Sequence, residues 1–122
     1  MFPLTPQRLA ILYDALRAQP PFHRWRLPPA DEVEFRTPAR RDIHGEHVEK
    51  TPPSRGAVHT VTVSIEKHAH FNSVLLTLAH EMCHVAQAVA KIPGRHRGHD
   101  TKDFVARTRR VCRTFGWDER NF

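Results

Sequence analysis

Cysteine is scarce, with two residues in 122. Two thiols cannot staple a small secreted scaffold, so a reducing, cytoplasmic setting is the expectation. Long apolar runs are missing too. No stretch approaches the roughly 20 residues of a membrane span, which excludes a helical membrane anchor from the reading. The N-terminal stretch Leu9–Leu16 is broken by Asp14 and preceded by Arg8, and no small-residue cleavage site follows it, so it does not read as a secretory signal. Acidic residues are in deficit, 13 against 19 Lys and Arg, and the formal charge of +6 points to an acidic partner, nucleic acid first. Internal repeats and low-complexity tracts are absent. The length suits one hydrophobic core, so a single domain over residues 1–122 is expected.

What the chain has in excess is histidine, with ten residues. Which of them matter depends on the elements that carry them. Thr5 and Pro6 open a helix over Thr5–Ala18, with Leu9, Leu12, Tyr13 and Leu16 on one face. Gln19–Asp31 holds Pro20, Pro21, Pro28 and Pro29 and cannot be helical throughout, while Phe22, Trp25 and Leu27 suit a loop lying on the body of the domain. Residues 32–65 read as strands, with a turn at His44-Gly45 and another in Thr51–Gly56. The clearest strand is His59–Glu66, where Val61, Val63 and Ile65 alternate with Thr60, Thr62 and Ser64 in the manner of a half-buried antiparallel strand. Asn72 or Ser73 caps a central helix running to about Ala90, whose apolar face includes Val74, Leu78, Met82 and Val85. A last helix starts at Asp100 or Thr101, buries Phe104, Val111, Cys112 and Phe115, and stops at Gly116. The expected architecture is α+β: an N-terminal helix, a small antiparallel sheet, the central helix and a C-terminal helix.

The central helix contains His80-Glu81-Met82-Cys83-His84, an HExxH pattern. Positions i and i+4 share a helix face, so both imidazoles can reach one ion, and zinc takes such nitrogens readily. Glu81 sits beside that ion on a different spoke. There it can take a proton from an attacking water and return it to a leaving amine. A catalytic zinc needs a third protein ligand. Ala90 stands where a metzincin would have His, and Gln87 where it would have Gly, so that subclass is excluded. Glu119 lies too far along the last helix for a thermolysin-like site. His96, His99, Asp100 and Asp103 remain. His99 is the best placed, because Gly98 lets the backbone approach and a helix follows at once.

The run Leu78–Val85, the later Gly98-His99 pair and Phe104 opening a helix resemble the SprT-like zinc metallopeptidases. The similarity is dense over residues 58–115 and only architectural over 1–57. It implies a zincin-like domain that hydrolyses peptide bonds in protein or peptide substrates. It also implies Zn2+ held by His80, His84 and His99, with Glu81 as catalytic base. Two features depart from the pattern. Phe104 falls five residues after His99 rather than four, and the C-terminal zinc ribbon with CxxC pairs, common in the family, is absent.

Beyond the motif, Tyr13, His59, His68, His70 and several Arg are candidates for stabilising an oxyanion. The strand His59–Glu66 is a candidate edge strand for an extended substrate. Cys83 is offset from the metal face and reads as helix packing, as does Cys112. Arg outnumbers Lys 15 to 4. Its C-terminal cluster, including Arg107, Arg109, Arg110 and Arg113, suits phosphate contact, so DNA is a candidate partner, with a merely solvated basic face as the alternative. The competing reading is a nucleic-acid-binding protein whose zinc site is structural or vestigial and supports no turnover.

Overall fold

A computed structural model of the chain describes residues 3–51, 56–65 and 70–122. It has the α+β architecture expected. Helix α1 spans Pro6–Arg17, strand β1 Val33–Arg36, β2 Gly45–Lys50, β3 Val58–Val63, helix α2 Phe71–Val89 and helix α3 Lys102–Phe115. Thr5 caps α1, its side chain accepting the Arg8 backbone N–H at 3.1 Å. Leu9, Tyr13 and Leu16 form the buried face of α1. His70, not Asn72 or Ser73, is the N-cap residue of α2, and Ser73 donates its hydroxyl to the His70 carbonyl. Gly116 ends α3 in the left-handed conformation at φ 74°, where a side chain would be strained.

The sheet differs from the expectation. Its order is β1-β3-β2, with β3 antiparallel to β2 but parallel to β1. The reason is topological. The chain reverses between β1 and β2 and again between β2 and β3, and β3 then inserts between the two, so it runs the same way as β1. His44-Gly45 opens β2 instead of turning. Strand β3 is paired on both sides and is therefore no edge. The candidate edge role falls instead to β2 and β1. Both faces of β3 are covered at its end: Val61 and Val63 are buried on one side, Thr62 and Ser64 on the other. Ile65 is exposed, contrary to its place in the alternation. Glu66, His68 and most of the Thr51–Gly56 turn lie outside the described residues.

Val74, Leu78, Met82 and Val85 of α2 meet Val61 and Val63 of β3, Leu9 and Tyr13 of α1, and Val111 of α3 in one core. Burying a side chain of this size contributes roughly 1.5–3 kcal/mol. The Pro-rich loop is anchored to this core. Phe22 is fully buried, with its ring edge-on to Trp25 at 5.4 Å and tilted against Phe115 at 6.4 Å. Cys83 and Cys112 are buried free thiols, as expected, and burial pushes both upward in pKa. Among the described residues, no helix is long and apolar enough to cross a membrane.

Candidate metal centre

One helical turn separates His80 from His84, so α2 alone presents two imidazoles on one face. The third comes from the loop leading into α3. His99 Nε2 lies 3.3 Å from His80 Nε2 and 3.1 Å from His84 Nε2. All three nitrogens fall within 4.8 Å of one another, and no other such group of His, Cys, Asp or Glu occurs among the described residues. Two nitrogens bound tetrahedrally at about 2.0–2.1 Å lie about 3.3 Å apart, so the observed spacing fits one small cation. The donor set fits as well. Burial, followed by the charges of His84 and His99, holds His80 down to about 4, with a backbone hydrogen bond to Phe122 as a partial offset. Burial also lowers His84. Neutral imidazoles with free lone pairs are the form a metal requires.

The loop that brings His99 into place is tethered independently of the cluster. Arg97 donates from Nε to the Ile92 carbonyl at 2.6 Å, and its guanidinium lies 3.6 Å from the Glu49 carboxylate on β2. Thr101 donates its hydroxyl to the Gly98 carbonyl at 2.6 Å. His96, the nearest alternative, is exposed and accepts from Arg95 Nε at 3.2 Å. Asp103 is not part of the cluster and accepts from Gln87 Nε2 at 3.0 Å, and Glu119 lies 3.6 Å from Arg109.

Glu81 is almost fully buried at 6 % exposure. That burial, with the Glu46 charge second, raises its carboxyl to about 8. It lines a cleft of about 600 Å³ together with His80, His84, His99, Ile43, His44, Gly45, Thr77, Asn121 and Phe122. A second cavity, about 440 Å³, lies against Glu81 and His84 and is also lined by His47, Glu49 and Arg97. There His47 Nε2 is 3.0 Å from His59 Nδ1, and desolvation lowers both rings, His47 to about 4.

Several further residues shape the site. Phe104 packs against all three imidazoles, with centroids 4.5 Å from His84, 4.9 Å from His99 and 5.1 Å from His80. Gly45 is tight against the base: a Cβ there would meet Thr77 Cγ2 at 2.6 Å and Glu81 Oε2 at 3.0 Å. Gln87 is fully buried and bridges His84 to Asp103, with 3.0 Å on either side. Its spacing of three from His84 on one helix was the available hint. Tyr13 is remote from the cleft. Its hydroxyl donates to the Pro28 carbonyl at 2.6 Å, and its ring meets Phe35 edge-on. His59 is buried against His47, and His70 is exposed at the start of α2.

Arg107 is turned inward, bonded to Asp103 Oδ2 at 2.9 Å with its guanidinium 5.0 Å above the Trp25 ring. Arg109 faces Glu119, while Arg110 and Arg113 are exposed. No protein-family model, curated protein or solved structure matches this chain.

Proposed function

We propose that this chain is a zinc-dependent peptidase of the SprT-like type, hydrolysing peptide bonds in protein substrates. One observation carries the reading: three imidazole nitrogens converge beside a buried glutamate at the wall of an open cleft. His80, His84 and His99 would hold the zinc. When bound, zinc supplies Lewis-acid chemistry at neutral pH.

Glu81 is not one of the three nitrogen donors, and a purely structural site would have no use for it. Its place in the cleft wall suits a proton carrier. Oε accepts the proton of an attacking water and later delivers it to the leaving amine. A nearby cation draws the raised carboxyl back toward its ionised, basic form. The cleft beside the three imidazoles would give a non-protein ligand access to such an ion, as a catalytic site needs and a closed structural site does not.

For the substrate, Ile43 and His44 form one wall of the cleft and lead into β2, which pairs only with β3 among the described strands. The outer N–H and C=O groups of such a strand suit an extended peptide with little sequence preference. For a DNA partner, the exposed Arg110 and Arg113 would supply the phosphate contacts, since Arg107 is bonded to Asp103 and Arg109 faces Glu119.

Purified protein should hold about one zinc per chain. Glu81→Gln should keep that zinc and lose proteolysis of a denatured protein substrate. A wild-type preparation that takes up no zinc, or undiminished cleavage by the variant, would sink the enzyme assignment.

A further inference from the structure

Behind His84, a chain of polar side chains runs out of the cleft and across to α3. His84 Nδ1 is 3.0 Å from Gln87 Oε1, Gln87 Nε2 is 3.0 Å from Asp103 Oδ2, and the same carboxylate oxygen accepts Arg107 Nε at 2.9 Å. Arg107 in turn lies over Trp25 of the Pro-rich loop.

Donor and acceptor chemistry gives this chain one direction. A carboxylate only accepts, so the Gln87 atom facing Asp103 must be the NH2 group. Turning the amide over would set two acceptor oxygens 3.0 Å apart in a buried place. The Gln87 oxygen therefore faces His84, and since it too only accepts, Nδ1 of His84 must carry the proton. The imidazole lone pair is then on Nε2, the atom that faces His99. Gln87 is fully buried, so it has no water with which to replace either bond.

We propose that Gln87 and Asp103 are positioning residues that lock His84 in its Nδ1–H tautomer, with Arg107 orienting the Asp103 carboxylate. Neither touches the cleft. Their effect on a metal passes through His84, and only that part of the inference rests on the zinc reading above. Groups of this kind, behind a ligating histidine, typically change metal affinity about 10–100-fold when removed.

The test uses the full chain with 15N-labelled histidine, observed by NMR with and without zinc, alongside zinc titrations in competition with a chelator. In the wild type, His84 should show a protonated Nδ1 and a bare or metal-bound Nε2, with a cross-peak from Nδ1–H to the Gln87 side chain. Asp103→Asn is nearly isosteric, but Arg107 Nε–H would hold the new amide oxygen toward Gln87, so it is made together with Arg107→Met; without that donor the Gln87 amide can face either way. The pair should mix the tautomers and weaken zinc binding about 10-fold. Adding Gln87→Glu to that pair restores the order of donors: the new amide at position 103 donates to the new carboxylate, which accepts from Nδ1–H. It should recover a single tautomer and most of the lost affinity. A residue acting through packing alone would not show this rescue. A wild-type His84 protonated on Nε2, or a triple variant no better than Asp103→Asn/Arg107→Met, would overturn the proposal. Failure of the wild type to bind zinc would instead count against the metal reading, since the tautomer is read separately.

Discussion

His84 and Phe104 lie nearly flat against each other, with ring centroids 4.5 Å apart and planes 19° from parallel. Phe104 also abuts His80 and His99, so one apolar ring from α3 limits the rotation of all three imidazoles. Phe104→Ala should cost about 3–5 kcal/mol in denaturant unfolding, whereas Phe104→Leu, which keeps most of the volume, should cost less than about 1.5 kcal/mol. Zinc affinity should nevertheless fall in both variants. A leucine variant that binds zinc as tightly as wild type would remove the platform role and leave only core packing.

Gly45 sits where β2 passes closest to Glu81. Adding a methyl group by Gly45→Ala forces β2, Thr77 or the carboxylate to move, because contacts of 2.6 and 3.0 Å are too short to persist. Overpacking of this kind costs about 1–3 kcal/mol. The expected signature is a loss of peptidase turnover larger than the stability loss explains at the assay temperature. Melting curves and kcat on the same preparation check it.

The pH dependence of the zinc-free protein follows from two opposed shifts. Burial raises Glu81 from 4.5 to about 8, so its protonated form is favoured in the fold. That contribution is complete below about pH 4.5 and is lost as pH rises through 8. His80 is lowered from 6.5 to about 4, so its contribution is present above 6.5 and is lost as pH falls through 4. Glu81→Gln removes the first slope only. The gain in Tm over wild type should be small at pH 4.5 and grow steadily toward pH 8. A constant difference across that window would show that Glu81 is not desolvated in solution.

Tyr13 separates stability from catalysis. Tyr13→Phe leaves the Pro28 carbonyl without its hydroxyl donor, which should cost about 1–3 kcal/mol. Turnover per folded molecule should not change, because the hydroxyl is tied to the Pro-rich loop and does not reach the cleft. A selective drop in kcat with Tm intact would return Tyr13 to the list of oxyanion donors.

The Arg-rich helix makes a graded prediction for DNA. If α3 contacts phosphates, Arg110→Ala with Arg113→Ala should weaken binding to oligonucleotides and reduce the salt slope by roughly two units. Arg107→Ala should instead act on stability and on the Asp103 carboxylate, since that side chain points inward. Binding that does not respond to salt would remove the phosphate argument.

The helices were legible because their signals are local. Thr5-Pro6, the spacing from Val74 to Val85, and Gly116 each act within a turn or two of chain. The pair His80 and His84 is legible for the same reason, and His99 is nearly so because Gly98 marks a close approach. The parallel pairing of β1 with β3 was not legible: alternation in Val33–Arg36 sets which residues face inward but says nothing about which neighbour the strand finds. Ile65 shows a related limit, since alternation assigned it to the core and the chain leaves the sheet after Val63. Asp103, Phe104 and Gly45 act at the site through contacts between elements, and Gln87 through one contact within α2 and one to α3. Gln87 registers in the sequence only as a missing metzincin glycine and by its spacing of three from His84.

The loop between α2 and α3 has a thermodynamic consequence. His84 and His99 are 15 residues apart, and drawing two such points together carries an entropic cost that grows with the logarithm of the separation. Here protein contacts meet that cost: Arg97 to Ile92 and Glu49, and Thr101 to Gly98. An arriving ion would therefore gain nearly the full free energy of its three bonds, with little diverted to ordering the chain. Zinc fingers are the opposite case, where the metal organises the polypeptide and its removal unfolds it. In this chain the tethers would organise the site before an ion arrives, so folding and loading would be separable events.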